Sequence, residues 1–228
     1  MTPVDVRRTG VPSRDDLAAQ SALLETAPPS SVIGWARDQF GAGLVLAASF
    51  QDCVLIDIAA SVAPDIEVVF LDTQYHFAET RWYVDVVRDR YDLNLTVVGP
   101  LVPPDNLWQT DTEACCAARK VEPLNRALSG RTAWMSGLKR DDGPTRAQTP
   151  VVHWDERRGL VKVNPLATWT DADVEGYIAD HELPVHPLTE KGYPSIGCWP
   201  CTNPVAPGAD PRSGRWAGSD RTECGINE

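Results

Sequence analysis

Leu44-Val-Leu-Ala-Ala48, Ser49-Phe-Gln-Asp52, Val54 to Val62 and Glu67-Val-Val-Phe-Leu71 follow one another with no long insertion between them. The two flanking runs are short, almost wholly apolar and rich in branched residues, as strands covered on both faces of a sheet require. The nine residues Val54–Val62 between them have helical apolar spacing, and Pro64 closes that helix. Strand, helix, strand of this length is a βαβ crossover, and it predicts an α/β domain on a mainly parallel sheet. The turn Ser49–Asp52 would place helix N–H groups over a strand end, a ready site for an anion. Asp72 and Thr73 then fall at the C-terminal end of the second strand, where open α/β sheets bind their ligands.

The same reading extends outward. A short helical pattern near 15–26 lies within a polar, proline-punctuated stretch, so residues 1–30 are expected to form a surface arm. Ser31 is expected to cap a helix running through Phe40, and Gly41-Ala-Gly43 to break it. Further helices are predicted from Phe77 to about Arg90 and from Cys115 to about Leu128, with strands at Leu95–Val98 and Thr132–Gly137. Val151–Trp154 and Leu160–Val163 read as a hairpin. Thr170-x-x-Asp173 resembles a capping box that starts a helix ending near His181. From Leu183 onward seven prolines exclude regular structure, so residues 31–182 are expected to be the α/β domain and 183–228 a loop and mobile tail.

Chemistry concentrates in the cysteines. Cys115 and Cys116 are adjacent, and Cys198 and Cys201 form a Cys-x-x-Cys pair. Neighbouring Cα atoms lie ~3.8 Å apart, too close for an unstrained disulfide, which needs about 4.4–6.8 Å. Two adjacent thiolates would crowd a single tetrahedral ion, whereas a cube offers each its own iron. The four cysteines therefore read as ligands of a [4Fe–4S] cluster. Taken singly, a Cys-x-x-Cys also serves as a redox dithiol or half a zinc site, and a Cys-Cys as two small buried apolar residues. Cys53 matches no ligand spacing, and Cys224 stands alone in the tail.

A formal charge of −11, from 21 Lys+Arg against 32 Asp+Glu, counts against nucleic acid as a partner. An anionic small ligand would instead need cations gathered locally, which Arg119, Lys120, Lys139, Arg140, Arg146, Arg212, Arg215 and Arg221 offer. No run of 18 apolar residues occurs, and the start lacks the apolar core of an export signal, so a cytoplasmic protein without a membrane partner is expected.

Five stretches together resemble a known family. Leu71-Asp-Thr-x-Tyr-His-Phe-x-Glu-Thr80, Cys115-Cys116-x-x-Arg119-Lys120, Gly192-Tyr-Pro-Ser-Ile-Gly-Cys198, Asp210-Pro-Arg-Ser-Gly-Arg-Trp216 and Thr222-Glu-Cys-Gly225 look like the assimilatory adenylylsulfate (APS) reductases of the phosphoadenylylsulfate (PAPS) reductase family. The likeness spans roughly residues 40–226. It implies an ATP-pyrophosphatase-like (adenine nucleotide alpha hydrolase-like) fold and reduction of adenylyl sulfate to sulfite and AMP, with thioredoxin or a related dithiol as donor, in sulfate assimilation toward cysteine. It also implies APS rather than PAPS as substrate, because the cysteine pairs are present.

On this reading Cys224 is the nucleophile and forms an S-sulfonate. Ser49, Asp72, Thr73, Lys120, Lys139, Arg140, Arg146, Arg215 and Arg221 are the expected substrate contacts, with Lys120 on the helical face of Cys116. Ser49 reads equally as a helix cap, and His76 is given no catalytic role. Similar tails usually carry histidine where this chain has Asn227. A homo-oligomer is compatible with all of this. A second class of reading is a non-catalytic iron–sulfur or zinc-binding regulatory module, which Cys224 beside tail arginines disfavours. A third is an ATP-dependent adenylating enzyme, disfavoured by the glycine-poor Ser49–Asp52 loop.

Overall fold

In the computed structural model, which describes residues 12–216, 221 and 223–227, the apolar runs pair into one six-stranded sheet. The strands are β1 (Leu44–Ala48), β2 (Glu67–Leu71), β3 (Asn94–Val98), β4 (Ala133–Met135), β5 (Val152–Asp155) and β6 (Leu160–Val163). Their order is β3-β2-β1-β4-β6-β5, and every neighbouring pair is parallel except the β5–β6 hairpin. The expected α/β class, with a mainly parallel sheet in a single domain, is what forms.

Side chains alternate across the strands, and both faces of the central ones, β1, β2, β4 and β6, are covered, whereas edge strand β3 has no buried residue. Leu44, Leu46, Val68, Phe70, Met135 and Val161 join one cluster with Ile33, Ile56 and Val87 from the helices. Val45, Val69 and Trp134 point the other way and pack with Leu124 and Leu128. Double coverage is why these strands read as unbroken apolar runs.

The helices are α1 (Arg14–Leu24), α2 (Pro29–Phe40), α3 (Val54–Val62), α4 (Ala78–Tyr91), α5 (Leu107–Thr110), α6 (Thr112–Cys116), α7 (Glu122–Ala127) and α8 (Asp171–Asp180). The capping box at α8 is present: Thr170 Oγ1 accepts from the Asp173 N–H, and the Asp173 carboxylate accepts from the Thr170 N–H at 2.7 Å. Asp57 ties three helices together, accepting from Tyr91 at 2.9 Å and Tyr177 at 2.7 Å.

Three expectations need correction. Ser31 does not cap α2; the helix begins at Pro29 after Pro28, because proline has a helical φ and no N–H to satisfy in the first turn. The long helix from Cys115 is interrupted, since Ala117–Val121 forms a π-helical turn between α6 and α7 in which the Glu122 N–H reaches back to the Ala117 carbonyl. Pro123 has no N–H for the Arg119 carbonyl, which removes one rung of the regular ladder there. Nor are residues 14–24 of the expected arm a surface appendage. Leu17 and Leu24 are buried in the main cluster, and Ser21 Oγ accepts from the Val152 N–H at 3.2 Å, so α1 closes the sheet beside β5. Residues 1–11 of that arm lie outside the described residues.

Leu17→Ala is expected to destabilise the whole domain by about 2–4 kcal/mol, the cost of a buried leucine cavity. Denaturant unfolding checks it, and a change below ~0.5 kcal/mol, as at a surface position, would return α1 to the role of an appendage.

Candidate active site

The strand order places the site. From β1 the chain winds outward through β2 to β3 and then crosses back to lay β4 on the other side of β1. The turns after β1 and β4 therefore diverge, leaving a crevice at the C-terminal strand ends. A cleft of about 630 Å³ occupies it, enough for a nucleotide-sized ligand.

Of the residues expected to bind substrate, Ser49, Thr73, Lys120, Lys139, Arg146 and Arg215 line this cleft, and Cys224 stands on its wall. Ser49 is exposed to it and does not cap α3. The side chain that accepts from the first turn of α3 is Asp52, from the Val54 N–H at 3.0 Å.

Three expected contacts are placed elsewhere. Asp72 shapes the turn after β2, accepting from the Gln74 N–H at 2.9 Å and from Arg81 at 3.4 Å. Arg140 turns away to pair with Glu25 through both terminal nitrogens and donates to the Thr149 carbonyl at 2.8 Å. It therefore fastens the end of α1, and its place among the cleft cations is corrected. Arg221 lies along the tail backbone, donating to the Glu223 carbonyl at 2.6 Å.

The cations that reach the cleft differ in availability. Lys139 is paired with Asp142 at 2.7 Å and Asp171 at 3.1 Å. Burial works against its charge, but these two carboxylates outweigh burial and hold its pKa above the usual lysine value. Arg146 is divided between Asp142 and Glu223, both at 2.7 Å. Among the described residues, Lys120 and Arg215 have no carboxylate partner.

Lys120 is buried on the π-turn, where it lines both the cleft and a smaller cavity holding all four cluster-motif cysteines. Burial opposes its charge, yet the sulfurs of Cys198, Cys224 and Cys116 keep its pKa raised. Arg215 lies so close to Gly197 that a Cβ there would sit 2.3 Å from Nη2, so any larger residue would make the guanidinium shift. Its Nη1 donates to Ser195 at 3.3 Å, while its buried Nε has no partner among the described residues.

The cysteine cavity unites distant segments. Cys115 and Cys116 come from α6, whose start is capped by Asp111 accepting from the Ala114 N–H at 2.9 Å. Cys198 and Cys201 arrive on the C-terminal loop, which bridges to the end of β2 through the His76–Cys198 pair and a Trp199 N–H to Tyr75 carbonyl bond of 2.8 Å. Thr73 Oγ1 is 3.3 Å from the Cys198 sulfur. Buried Arg119 braces the assembly, donating to Gln74 and to the Pro103 carbonyl at 2.7 Å, pairing with Asp105 at 3.0 Å and lying 4.7 Å from the centre of the Tyr75 ring.

All six cysteines are free. Burial, with Cys116 and the other thiols adding repulsion, pushes the Cys115 thiol up to about 11, and burial likewise raises Cys116 and Cys201. In Cys115, Cys116 and Cys201 burial therefore favours the neutral thiol unless a positive charge stands close by. Among the described residues, no three Cys, His, Asp or Glu side chains converge tightly enough for a single metal ion.

The described residues 223–227 of the tail make side-chain and backbone contacts with the domain. Glu223 accepts from Arg146 through both oxygens at 2.7 Å and from Thr145 at 3.2 Å. The Gly225 carbonyl accepts from Arg157 at 3.1 Å, Ile226 packs on the apolar cluster that includes Trp134, and Asn227 accepts from Lys162 at 2.8 Å. Nothing in the composition marked Arg157 or Lys162 as tail partners, because that pairing exists only after β6 and the tail are brought together.

The family model for the phosphoadenosine phosphosulfate reductase domain matches residues 43–204, which carry the sheet, most of the cleft lining and both cysteine pairs. The chain belongs to the phosphoadenosine phosphosulfate reductase family. Relatives within it include an adenosine 5'-phosphosulfate reductase of Mycolicibacterium smegmatis, 46% identical over 91% of each chain. Another, of Rhodococcus opacus, is 43% identical over 93% of this chain and 94% of its own. Among solved structures, a phosphoadenylyl-sulfate (PAPS) reductase from Candida auris in complex with phosphate superposes with a TM-score of 0.74 at 27% identity, covering 84% of this chain and 98% of that one. FMN adenylyltransferase from Candida glabrata shares the fold alone, with a TM-score of 0.59 at 15% identity over 87% of this chain and 68% of that one.

Within this reductase fold, Arg119→Lys is expected to cost about 2–3 kcal/mol, because an ammonium cannot replace a planar fork that serves several acceptors at once. Thermal unfolding measures it. A melting point within a degree of the parent's would deny Arg119 its bracing role.

Proposed function

We propose that this chain reduces adenylyl sulfate to sulfite and AMP. The observation that carries the reading is the place of Cys224, a free thiol on the wall of a nucleotide-sized cleft shared with Lys120 and Arg215. Those two cations lack carboxylate partners among the described residues, so they are available to the phosphosulfate anion. Lys139 and Arg146 sit in the same cleft and enter the reaction with their acidic partners attached. Ser49 and Thr73 stand at the ends of β1 and β2, where they can orient the nucleotide.

The Cys224 thiolate attacks the sulfur of the phosphosulfate and the S–O bond to AMP breaks, so the phosphate leaves with the bonding pair. Cys224 is left as an S-sulfonate. An external dithiol, for which thioredoxin is the proposed donor, attacks the Cys224 sulfur and expels sulfite. Its second thiol then closes a disulfide on the donor and returns Cys224 as a thiolate, so the two electrons come from the dithiol.

Cys115, Cys116, Cys198 and Cys201 fit a [4Fe–4S] cluster as one thiolate for each iron, and the one cavity that all four line supports that donor set. Such a cluster would supply a compact charged centre beside Lys120. The absence of a membrane-crossing helix among the described residues is compatible with the cytoplasmic setting proposed for the reaction. The non-catalytic module is disfavoured, since a binding platform has no use for a thiol in the same cleft as two cations that lack carboxylate partners among the described residues.

Anaerobically purified protein is expected to carry about four irons per chain, with broad charge-transfer absorption. Stoichiometric zinc without iron or acid-labile sulfide would overturn the cluster.

Sulfite release with thioredoxin is expected to be far faster from APS than from PAPS. Cys224→Ser is expected to lower the APS rate at least ~1,000-fold, because a hydroxyl is far harder to ionise than a thiol. Iron content should be unchanged in that variant. A serine protein that still released sulfite at the parent rate would remove Cys224 from the chemistry.

A further inference from the structure

Lys162 is a buried amine with no role in the chemistry above. It stands on β6 opposite Trp134 of β4, 3% exposed, with its nitrogen 4.5 Å from the centre of the indole ring. The carboxylate nearest to hand, Asp155, is already engaged by Arg158 at 3.0 Å and by Trp134 Nε1 at 3.1 Å. Lys162 donates instead to Asn227 Oδ1 at 2.8 Å, in the tail. Burial, aided by Arg158 and Arg146 and opposed by Asp155 and Glu223, drags its pKa down to about 7. A buried amine of this kind costs the folded domain stability, which the indole face 4.5 Å away offsets in part. Its polar bond leads out of the core to the catalytic segment.

That bond is one of two clasps that bracket Cys224. On the N-terminal side Glu223 is gripped by Arg146. On the C-terminal side Gly225, at φ +80°, turns the chain so that its carbonyl meets Arg157, Ile226 packs on the apolar cluster that includes Trp134, and Asn227 meets Lys162. Every residue from Glu223 to Asn227 except Cys224 is thus engaged with the body of the domain. A thiol held on both sides faces the cleft, and one released on the C-terminal side can swing.

We propose that Lys162 is a positioning residue for the Cys224 thiol: through Asn227, and with Arg157, it seats the end of the tail so that Cys224 is presented to the cleft, and its charge sets how firmly the tail is seated. This rests on Cys224 being the nucleophile, and it makes tail release dependent on pH. The groups facing the amine are Asp155, Glu223, Arg146, Arg158 and, across β5, His153. Burial lowers His153 to about 4, so it stays neutral from pH 6.5 to 8.5. Carboxylates and guanidinium groups titrate outside that interval. The Lys162 charge is present at its lower end and lost as pH rises through about 7, which replaces a charge-assisted bond by a weaker neutral one.

The test reads Cys224 directly. Full-length, anaerobically purified protein is treated with iodoacetamide, and alkylation of the C-terminal peptide is followed by mass spectrometry for the parent, Lys162→Met, Asn227→Ala and Asn227→Asp. At about pH 6.5, Lys162→Met and Asn227→Ala are expected to alkylate about tenfold faster than the parent, the factor of one lost hydrogen bond to a charged group. Asn227→Asp, which faces the amine with a carboxylate, is expected to alkylate more slowly than the parent. The ratio of Lys162→Met to parent should shrink toward one by about pH 8.5, a trend that a purely structural lysine would not produce.

In turnover, both loosened variants should lose kcat with KM little changed. Parent-like alkylation of folded Lys162→Met and Asn227→Ala at pH 6.5 would overturn the proposal. Should Lys162→Met fail to fold, Asn227→Ala decides alone, because it alters only the tail. Failure of the reductase reading would show separately, as absence of sulfite release by the parent protein, and leaves the alkylation rates interpretable.

Discussion

The backbone pairing of Tyr75 and His76 with Cys198 and Trp199 is the joint on which the site depends. It fastens a loop without regular structure to the end of β2, the second strand of the βαβ unit. Once fastened, that loop delivers Cys198 and Cys201 to the cysteines of α6, and the next turns deliver Arg215 through the Thr202–Arg215 bridge. His76 contributes to the joint, with its Nε2 2.8 Å from the Leu71 carbonyl and its ring against Phe70. Burial lowers its pKa, so it acts there as a neutral spacer and not as an acid.

The π-turn Ala117–Val121 does the complementary work from the other side of the cleft. A regular helix would repeat every 3.6 residues and carry successive side chains steadily around its axis. The wider turn buries Arg119 and Lys120 together, Arg119 toward the loops after β2 and β3, Lys120 into the wall between cysteine cavity and cleft. Two adjacent cations with different tasks follow from that local departure.

An acidic chain binds an anion by local arrangement of its cations. Most of the cleft's positive groups carry acids of their own, as Lys139 does with Asp142 and Asp171. Charge is thereby concentrated where, among the described residues, Lys120 and Arg215 lack such partners, on the cleft that Cys224 also lines.

Much was legible in the residues themselves. Val54–Val62 and Glu67–Leu71 form the predicted elements with the predicted bounds, because apolar periodicity and Pro64 are local signals. The Thr170–Asp173 box formed for the same reason. The two cysteine pairs stood out in the residues, and the fold brings all four to one cavity. What the residues alone left undecided was every long-range pairing of charge. Arg140 and Arg146 are equivalent in sequence, yet one fastens Glu25 and the other Glu223. Leu17 reads as part of a polar arm until β5 lies beneath it, and Lys162 as an ordinary strand lysine until the tail returns. Local sequence determined the βαβ frame, since periodicity and proline act over a few residues. Only the tertiary structure decided which cations remain available and where Cys224 sits, since those depend on contacts between segments far apart in the chain.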